Sequence, residues 1–232
     1  MIFAYLCNEA NPQLSAFMTI DKKRNNLLPL QYELGNTWTH LAGAVFALTS
    51  IWMVWPAVEK SWQMAFGVIF FIVGMFLMFL SSTLYHWVHP GVVKNAFRKL
   101  DHISIYVMIA CSYTPICVGV VGGWLGWTIF GLQWAVVIGG VFYKLLAMGK
   151  YPRLSLALYL SMGWCILLVA KPVLARLSVP AIAMLLAEGF FYTLGTYFFA
   201  HDKKPHFHAI WHVFVLLGAI AHWSVVLLLI LG

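Results

Sequence analysis

The sequence predicts an all-α integral membrane protein built as a bundle of seven transmembrane helices. Hydrophobic residues make up 62% of the 232-residue chain and charged residues only 9%, whereas a soluble domain carries roughly 25% charged residues. The mean hydropathy is +0.87. The apolar residues also fall into seven blocks of a length that crosses a bilayer as a helix, which takes about 20 residues. We therefore expect the whole bundle to lie in lipid.

The seven predicted spans cover residues 38–56, 63–85, 103–121, 127–147, 154–170, 180–200 and 209–231. Proline and glycine mark the breaks between the blocks, as is typical of turns. Pro115 lies inside the third block, where it predicts a kinked helix and not an interrupted one. The blocks are too long and too uniformly apolar for barrel strands, which alternate over about ten residues.

The distribution of lysine and arginine predicts the orientation of the bundle. With the N-terminus in the cytoplasm, the inner segments hold eleven of these residues and the outer segments three. The positive-inside rule then predicts a cytoplasmic N-terminus and a C-terminus outside. Residues 1–34 are predicted to form a cytoplasmic or interfacial segment, with Met18 as an alternative start, and residues 35–232 one transmembrane domain.

The net charge of +7 indicates membrane lipids as partners and not nucleic acid. The basic residues stand singly or in short runs between apolar blocks, which suits loops that face anionic headgroups. The four cysteines form no CxxC pair. This spacing predicts apolar packing in helices and no disulfide framework.

Polar side chains near the inner ends of three spans predict a zinc site. His208 and His212 lie four residues apart, so both imidazoles share one helical face and can reach one metal ion. His86, at the inner end of the second span, supplies a third imidazole. Asp101 opens the third span, where it can hold and deprotonate a metal-bound water. Ser82 precedes His86 by one turn and is predicted to orient its imidazole.

The alternative interpretation is that these histidines only snorkel to the headgroups. The remaining histidines are predicted to have other roles. His40 is predicted to open the first span and to form hydrogen bonds, and His102 is predicted to be interfacial. His89, His201 and His206 fall in inner loops and are predicted to be solvated.

Two further ionisable residues lie deep within the last two spans. Glu188 is near the middle of the sixth span, and His222 follows His212 by ten residues in the seventh. Because consecutive spans run antiparallel, the two side chains can meet at one depth. Ionisable groups are costly in lipid, so we hypothesise a buried Glu188–His222 pair.

Four short stretches resemble the hemolysin III family, the bacterial branch of the progestin and adipoQ receptor superfamily. They are residues 35–41 (GNTWTHL), 81–86 (SSTLYH), 100–102 (LDH) and 208–212 (HAIWH). Each occurs on the expected span and in the expected order. The resemblance predicts a small residue in that part of the sixth span. Glu188 is therefore a departure from it.

The resemblance implies a seven-helix bundle in the bacterial inner membrane with a cytoplasmic N-terminus. It also implies zinc bound by His86, His208 and His212, with Asp101 contacting the metal through water and Ser82 beside the site. Eukaryotic relatives are linked to hydrolysis of the ceramide amide. Bacterial members carry a haemolysin name and are associated with membrane-lipid homeostasis.

Several functions follow from these residues. The first is a zinc-dependent hydrolase that cleaves a lipid amide or ester inside the bilayer. The alternative is a non-enzymatic receptor or sensor of membrane state, with zinc as a structural clamp. A secreted cytolysin is disfavoured because the chain is too apolar to cross water as a monomer, and a transporter because no internal repeat is evident. Zinc itself is a preference, since three imidazoles accept several metals.

Overall fold

The structure is a computed structural model that describes residues 30–232. Within that part of the chain, seven helical stretches are long and apolar enough to cross a membrane, as predicted. They are Glu33–Lys60, Trp62–Trp87, Val92–Val121, Gly123–Ala147, Arg153–Leu174, Val179–Ala200 and Phe207–Leu231. The protein is therefore a multi-pass membrane protein. Cys7, Met18 and most of the predicted N-terminal segment lie outside the described residues.

The seven spans contain nine α-helices among the described residues, because two spans are interrupted by 3₁₀ turns. The helices are α1 (Leu30–Thr49), α2 (Val54–Lys60), α3 (Trp62–Trp87), α4 (Val92–Thr114), α5 (Gly123–Ala147), α6 (Pro152–Trp164), α7 (Ala170–Leu174), α8 (Val179–Ala200) and α9 (Phe207–Leu231). The 3₁₀ turns Ser50–Met53 and Cys165–Val169 join α1 to α2 and α6 to α7. No strand occurs in residues 30–232.

Local sequence explains where several helices begin. The Ser61 hydroxyl accepts a hydrogen bond from the backbone N–H of Met64 and so caps α3. Ser178 caps α8 in the same way, and a proline follows within its first turn. Large apolar side chains, among them Val45, Phe142 and Leu168, are exposed on the outside of the bundle. That distribution is the one expected for a surface that faces lipid.

The third span begins much earlier than predicted. Helix α4 starts at Val92 and not at residue 103, so the predicted inner loop is largely helical. Lys94 is buried, and its Nζ lies 3.4 Å from Glu33 Oε1 and donates to the Val88 carbonyl at 3.3 Å. Because these partners satisfy the ammonium, a lysine that was expected in the headgroup region instead lies inside the bundle.

The helix continues through Pro115, as predicted, but as a π-helical segment over Pro115–Val121. Such a segment re-satisfies backbone groups that proline leaves without a partner. Gly67 on α3 faces this point, and a Cβ there would lie 2.4 Å from Pro115 Cα. The second and third spans therefore pack backbone against backbone.

The first and last spans are neighbours in the bundle. Helix α9 packs against both α8 and α1. Trp223 Nε1 on α9 donates a hydrogen bond to Ser50 Oγ at 2.9 Å. This arrangement places the first span beside the last one, with the start of α1 near the start of α9. The cytoplasmic location of the N-terminus stays a prediction.

Candidate metal centre

Three histidines from two helices meet at one end of the bundle. His86 lies near the end of α3, and His208 and His212 lie in the first two turns of α9. Each offers a ring nitrogen that lies within 4.8 Å of the other two. His86 and His212 are buried, and His208 is half-buried. The structure thus brings together the three residues that the sequence predicts as metal ligands.

The spacing of these nitrogens suits a tetrahedral ion. His86 Nε2 and His208 Nε2 are 3.3 Å apart. Zinc–nitrogen bonds of about 2.0–2.1 Å at the tetrahedral angle place ligand nitrogens about 3.3–3.4 Å from each other. The distance between the two imidazoles therefore matches the separation that zinc requires.

The hydrogen-bond partners of the other ring nitrogens also fit a metal centre. His86 Nδ1 lies 2.5 Å from Glu33 Oε2, and His212 Nδ1 lies 3.2 Å from the backbone carbonyl of Asn36. Since these oxygens only accept, each Nδ1 carries the proton and donates, which leaves each Nε2 as an acceptor. Metal-binding histidines are commonly held in this way by a carboxylate or carbonyl. The donor set therefore fits zinc.

His208 has a weaker carboxylate neighbour. Its Nδ1 lies 3.9 Å from Asp202 Oδ2, which is beyond hydrogen-bond distance. This separation is longer than the contact between His86 and Glu33.

Glu33 is a component of the centre that the sequence reasoning missed. Its position before the first apolar block predicts a segment along the membrane surface, yet its carboxylate bridges His86 and the buried Lys94. The signal was present in the spacing of Glu33, Asn36 and His40. On a helix these residues recur at i, i+3 and i+7 and share one face.

His40 differs from its prediction. Helix α1 begins at Leu30, so His40 lies inside the helix and does not open it. Its ring stacks on His212 with the centroids 3.6 Å apart and the planes 10° from parallel. Neither ring nitrogen has a hydrogen-bond partner in residues 30–232, so the predicted hydrogen bonding was wrong. His40 instead supports the face of a candidate ligand.

Ser82 and Asp101 line the cavity that also contacts His208 and His212. The Ser82 hydroxyl is buried and has no hydrogen-bond partner among the described residues. The predicted orienting bond to His86 is therefore absent, because the His86 imidazole is held by Glu33 instead. Asp101 is not part of the cluster of nitrogens within 4.8 Å, but it lines the same cavity as Ser82, His208 and His212. The catalytic roles of both residues stay predictions.

A large cavity runs from His208 and His212 into the middle of the bundle. Its volume is about 950 Å³. Polar residues lie at its histidine end, and apolar side chains such as Met108, Ile116 and Leu185 line its deeper part. His102 also lines this cavity and is half-buried, and its interfacial position stays a prediction. His89, His201 and His206 are exposed, as predicted.

The Glu188–His222 pair is confirmed. His222 Nδ1 lies 2.8 Å from Glu188 Oε2, which joins α8 to α9 within the apolar layer. Both residues line the deeper part of the cavity. The antiparallel order of the last two spans was sufficient to predict this contact.

Comparison with known proteins supports one family over most of the chain. A family model described as "Haemolysin-III related" matches residues 29–223. Hemolysin-3 of Bacillus cereus is 36% identical over 201 residues, which cover 86% of this chain and 92% of that protein. A hemolysin-3 homolog of Bacillus subtilis is 34% identical over 204 residues, covering 87% and 95%. Human monocyte to macrophage differentiation factor is 31% identical over 206 residues, covering 84% and 83%. The chain therefore belongs to the haemolysin-III related family of multi-pass membrane proteins.

Proposed function

We propose that this protein is a zinc-dependent hydrolase of the bacterial inner membrane that cleaves a lipid amide or ester and contributes to membrane-lipid homeostasis. One observation carries the proposal. Three histidines have ring nitrogens within 4.8 Å of one another, and two of them, His208 and His212, line an apolar cavity of about 950 Å³. A cavity of this size and lining accommodates a hydrocarbon chain, and the histidine end would receive the polar group to which the chain is attached.

The histidines would hold the ion and leave room for the reaction. His86, His208 and His212 would be the three protein ligands, and a catalytic zinc site keeps a further position open. A zinc ion there would supply a Lewis acid that polarises a carbonyl and makes water nucleophilic near neutral pH. Glu33 and the Asn36 carbonyl would keep the His86 and His212 rings in position, through contacts of 2.5 and 3.2 Å.

Asp101 would carry the proton in this reaction. In hydrolysis the water oxygen bonds to the carbonyl carbon, and the bond from that carbon to nitrogen or oxygen breaks. Asp101, in the wall of the same cavity, would take the proton from the water and return it to the leaving amine or alcohol. Ser82, whose buried hydroxyl has no partner in the described part of the chain, is available to bind the polar group of the substrate.

A second candidate function is a sensor of membrane state in which zinc is structural. It is favoured because the residues of the centre come from three different spans. His86 comes from α3, His208 and His212 come from α9, and the supporting Glu33 comes from α1. An ion at this position would tie the first, second and seventh spans together without any turnover.

Metal content and lipid turnover, measured in that order, test the proposal. Detergent-purified wild type should contain about one zinc ion per chain, and the double variant His208→Ala/His212→Ala should contain none. Lipid mass spectrometry of reconstituted protein then compares wild type with Asp101→Ala and with Glu59→Gln, an exposed control. We expect Asp101→Ala to retain metal and to form no product, while Glu59→Gln matches wild type.

The outcomes separate the two functions. Product formed by wild type and absent from Asp101→Ala supports the hydrolase. Product formed equally by both overturns the role of Asp101. Zinc bound to wild type without any product, across neutral and anionic lipid amides and esters, favours the sensor.

A further inference from the structure

Glu188 and His222 form a second polar group in the cavity, away from the candidate metal centre. His222 follows His212 by ten residues on the unbroken helix α9, which places it roughly 15 Å further along the helix axis. The same cavity contacts His208 and His212 at one end and Glu188 and His222 at the other. A single extended molecule in the cavity therefore reaches both polar groups.

The pair is sealed on one side only. The His222 side chain is 2% exposed, whereas that of Glu188 is 14% exposed. His222 packs against the buried ring of Phe71, with centroids 4.8 Å apart. Its Nε2 is buried and has no hydrogen-bond partner within residues 30–232. The pair thus retains hydrogen-bonding capacity toward the cavity at Glu188, whose carboxylate is the more exposed of the two side chains.

Helix packing alone does not account for a pair of ionisable side chains at this position. Helices α8 and α9 already approach closely at two glycines. A Cβ at Gly195 would lie 2.9 Å from Trp211, and a Cβ at Gly218 would lie 2.7 Å from Tyr192. Small residues of this kind are the usual means of holding membrane helices together. Ionisable groups in the apolar layer are costly and are associated with binding or transport pathways.

A molecule in the cavity interacts with the pair according to its own polarity. A saturated hydrocarbon chain would cover the Glu188 carboxylate with methylene groups and deprive it of water, which is unfavourable. A hydroxyl on the chain would donate a hydrogen bond to the Glu188 carboxylate, which accepts hydrogen bonds from the cavity side. Sites that form such bonds discriminate strongly against analogues without the polar group.

We propose that the Glu188–His222 pair binds a mid-chain hydroxyl of a lipid whose polar head lies at the histidine centre. The ligand class is therefore hydroxylated fatty acyl chains. This inference rests on the proposed role of the cavity as a lipid-binding site. It does not require that the lipid be cleaved.

The test uses two fatty acids that differ by one hydroxyl. Ricinoleic acid carries a mid-chain hydroxyl, and oleic acid is its counterpart without it. Neither contains an amide or ester bond, so turnover does not enter the measurement. Dissociation constants are measured for the detergent-solubilised full chain as wild type, Glu188→Gln and Glu188→Leu, with the exposed Glu59→Gln as the matched control.

Wild type should bind ricinoleic acid about tenfold or more tightly than oleic acid, because the hydrogen bond is to a charged group. Glu59→Gln should keep this preference. Glu188→Gln, which keeps an acceptor without the charge, should show a smaller preference, and Glu188→Leu should bind oleic acid at least as well as ricinoleic acid.

Several results would overturn the proposal. They are equal binding of the two acids to wild type, binding of neither acid, and a full preference in Glu188→Leu. The wild-type comparison decides the matter even if a variant fails to fold. A preference for ricinoleic acid in a protein without hydrolase activity would refute the proposed function and leave this site standing. Hydrolysis of a lipid without a preference for ricinoleic acid would support the proposed function and refute this binding site.

Discussion

Replacement of Glu33 tests whether the first span belongs to the candidate metal centre. The Glu33 carboxylate lies 2.5 Å from His86 Nδ1 and 3.4 Å from Lys94 Nζ. Glu33→Gln keeps an oxygen that can accept from His86 but removes the negative charge. Glu33→Ala removes both the acceptor and the partner of the buried lysine. The two variants therefore separate the orientation of His86 from the charge around it.

The expected losses follow from these contacts. Removal of the group that holds a metal-binding histidine lowers metal affinity by about 10–100-fold. We expect about tenfold for Glu33→Gln, in which the hydrogen bond survives, and about a hundredfold for Glu33→Ala. Glu33→Ala also leaves Lys94 buried without a carboxylate, which costs about 3 kcal/mol of folding stability. This value is the lower end of the usual range because Lys94 keeps its bond to the Val88 carbonyl.

The assay is competition for zinc with a chelator, together with the thermal midpoint in detergent. The double variant Glu33→Ala/Lys94→Met is the control, because it removes the unpaired ammonium while leaving His86 unsupported. It should recover the thermal midpoint of wild type and retain the low zinc affinity of Glu33→Ala. Wild-type zinc affinity in both Glu33→Gln and Glu33→Ala would refute the reasoning that Glu33 positions His86.

Three other predictions concern packing, stacking and orientation. Gly67→Ala should lower the free energy of unfolding by about 1–3 kcal/mol through overpacking against Pro115. Gly139→Ala should not, because a Cβ at Gly139 meets nothing within 4 Å. Equal thermal midpoints for the two variants would contradict the close approach of Gly67 to Pro115. His40→Ala should weaken zinc binding because the ring stacked on His212 is lost, and His40→Phe should preserve it, so identical chelator competition curves for the two would rule out support by stacking. An alkaline phosphatase fused after the last residue should be active, since the C-terminus is predicted to lie outside; an inactive phosphatase together with an active cytoplasmic reporter at that position would reverse the topology.

The seven spans were predictable because the decisive property is local. A stretch of about 20 apolar residues is sufficient to identify a membrane helix without knowledge of its neighbours. The contact of Glu188 with His222 was also predictable, since consecutive helices are antiparallel and the two residues occupy equivalent depths. These predictions needed only the order and direction of the helices.

The missed features depend on partners that are distant in sequence. Lys94 is 61 residues from Glu33 along the chain, and burial of this pair is what allows α4 to start before its apolar block. Ser82 was placed one turn from His86 correctly, but helical spacing does not determine which neighbour the imidazole contacts. Glu33 on another helix holds the His86 ring, so tertiary packing determines the hydrogen-bond partner of His86.

The adjacency of the first and last spans has a consequence for biogenesis. A chain emerging from the ribosome inserts α1 early and α9 last, yet the candidate centre needs Glu33 and Asn36 from the former and His208 and His212 from the latter. No nascent chain that lacks the final span can assemble the three imidazoles. Any binding of metal at this centre would therefore have to follow insertion of the span that contains His208 and His212.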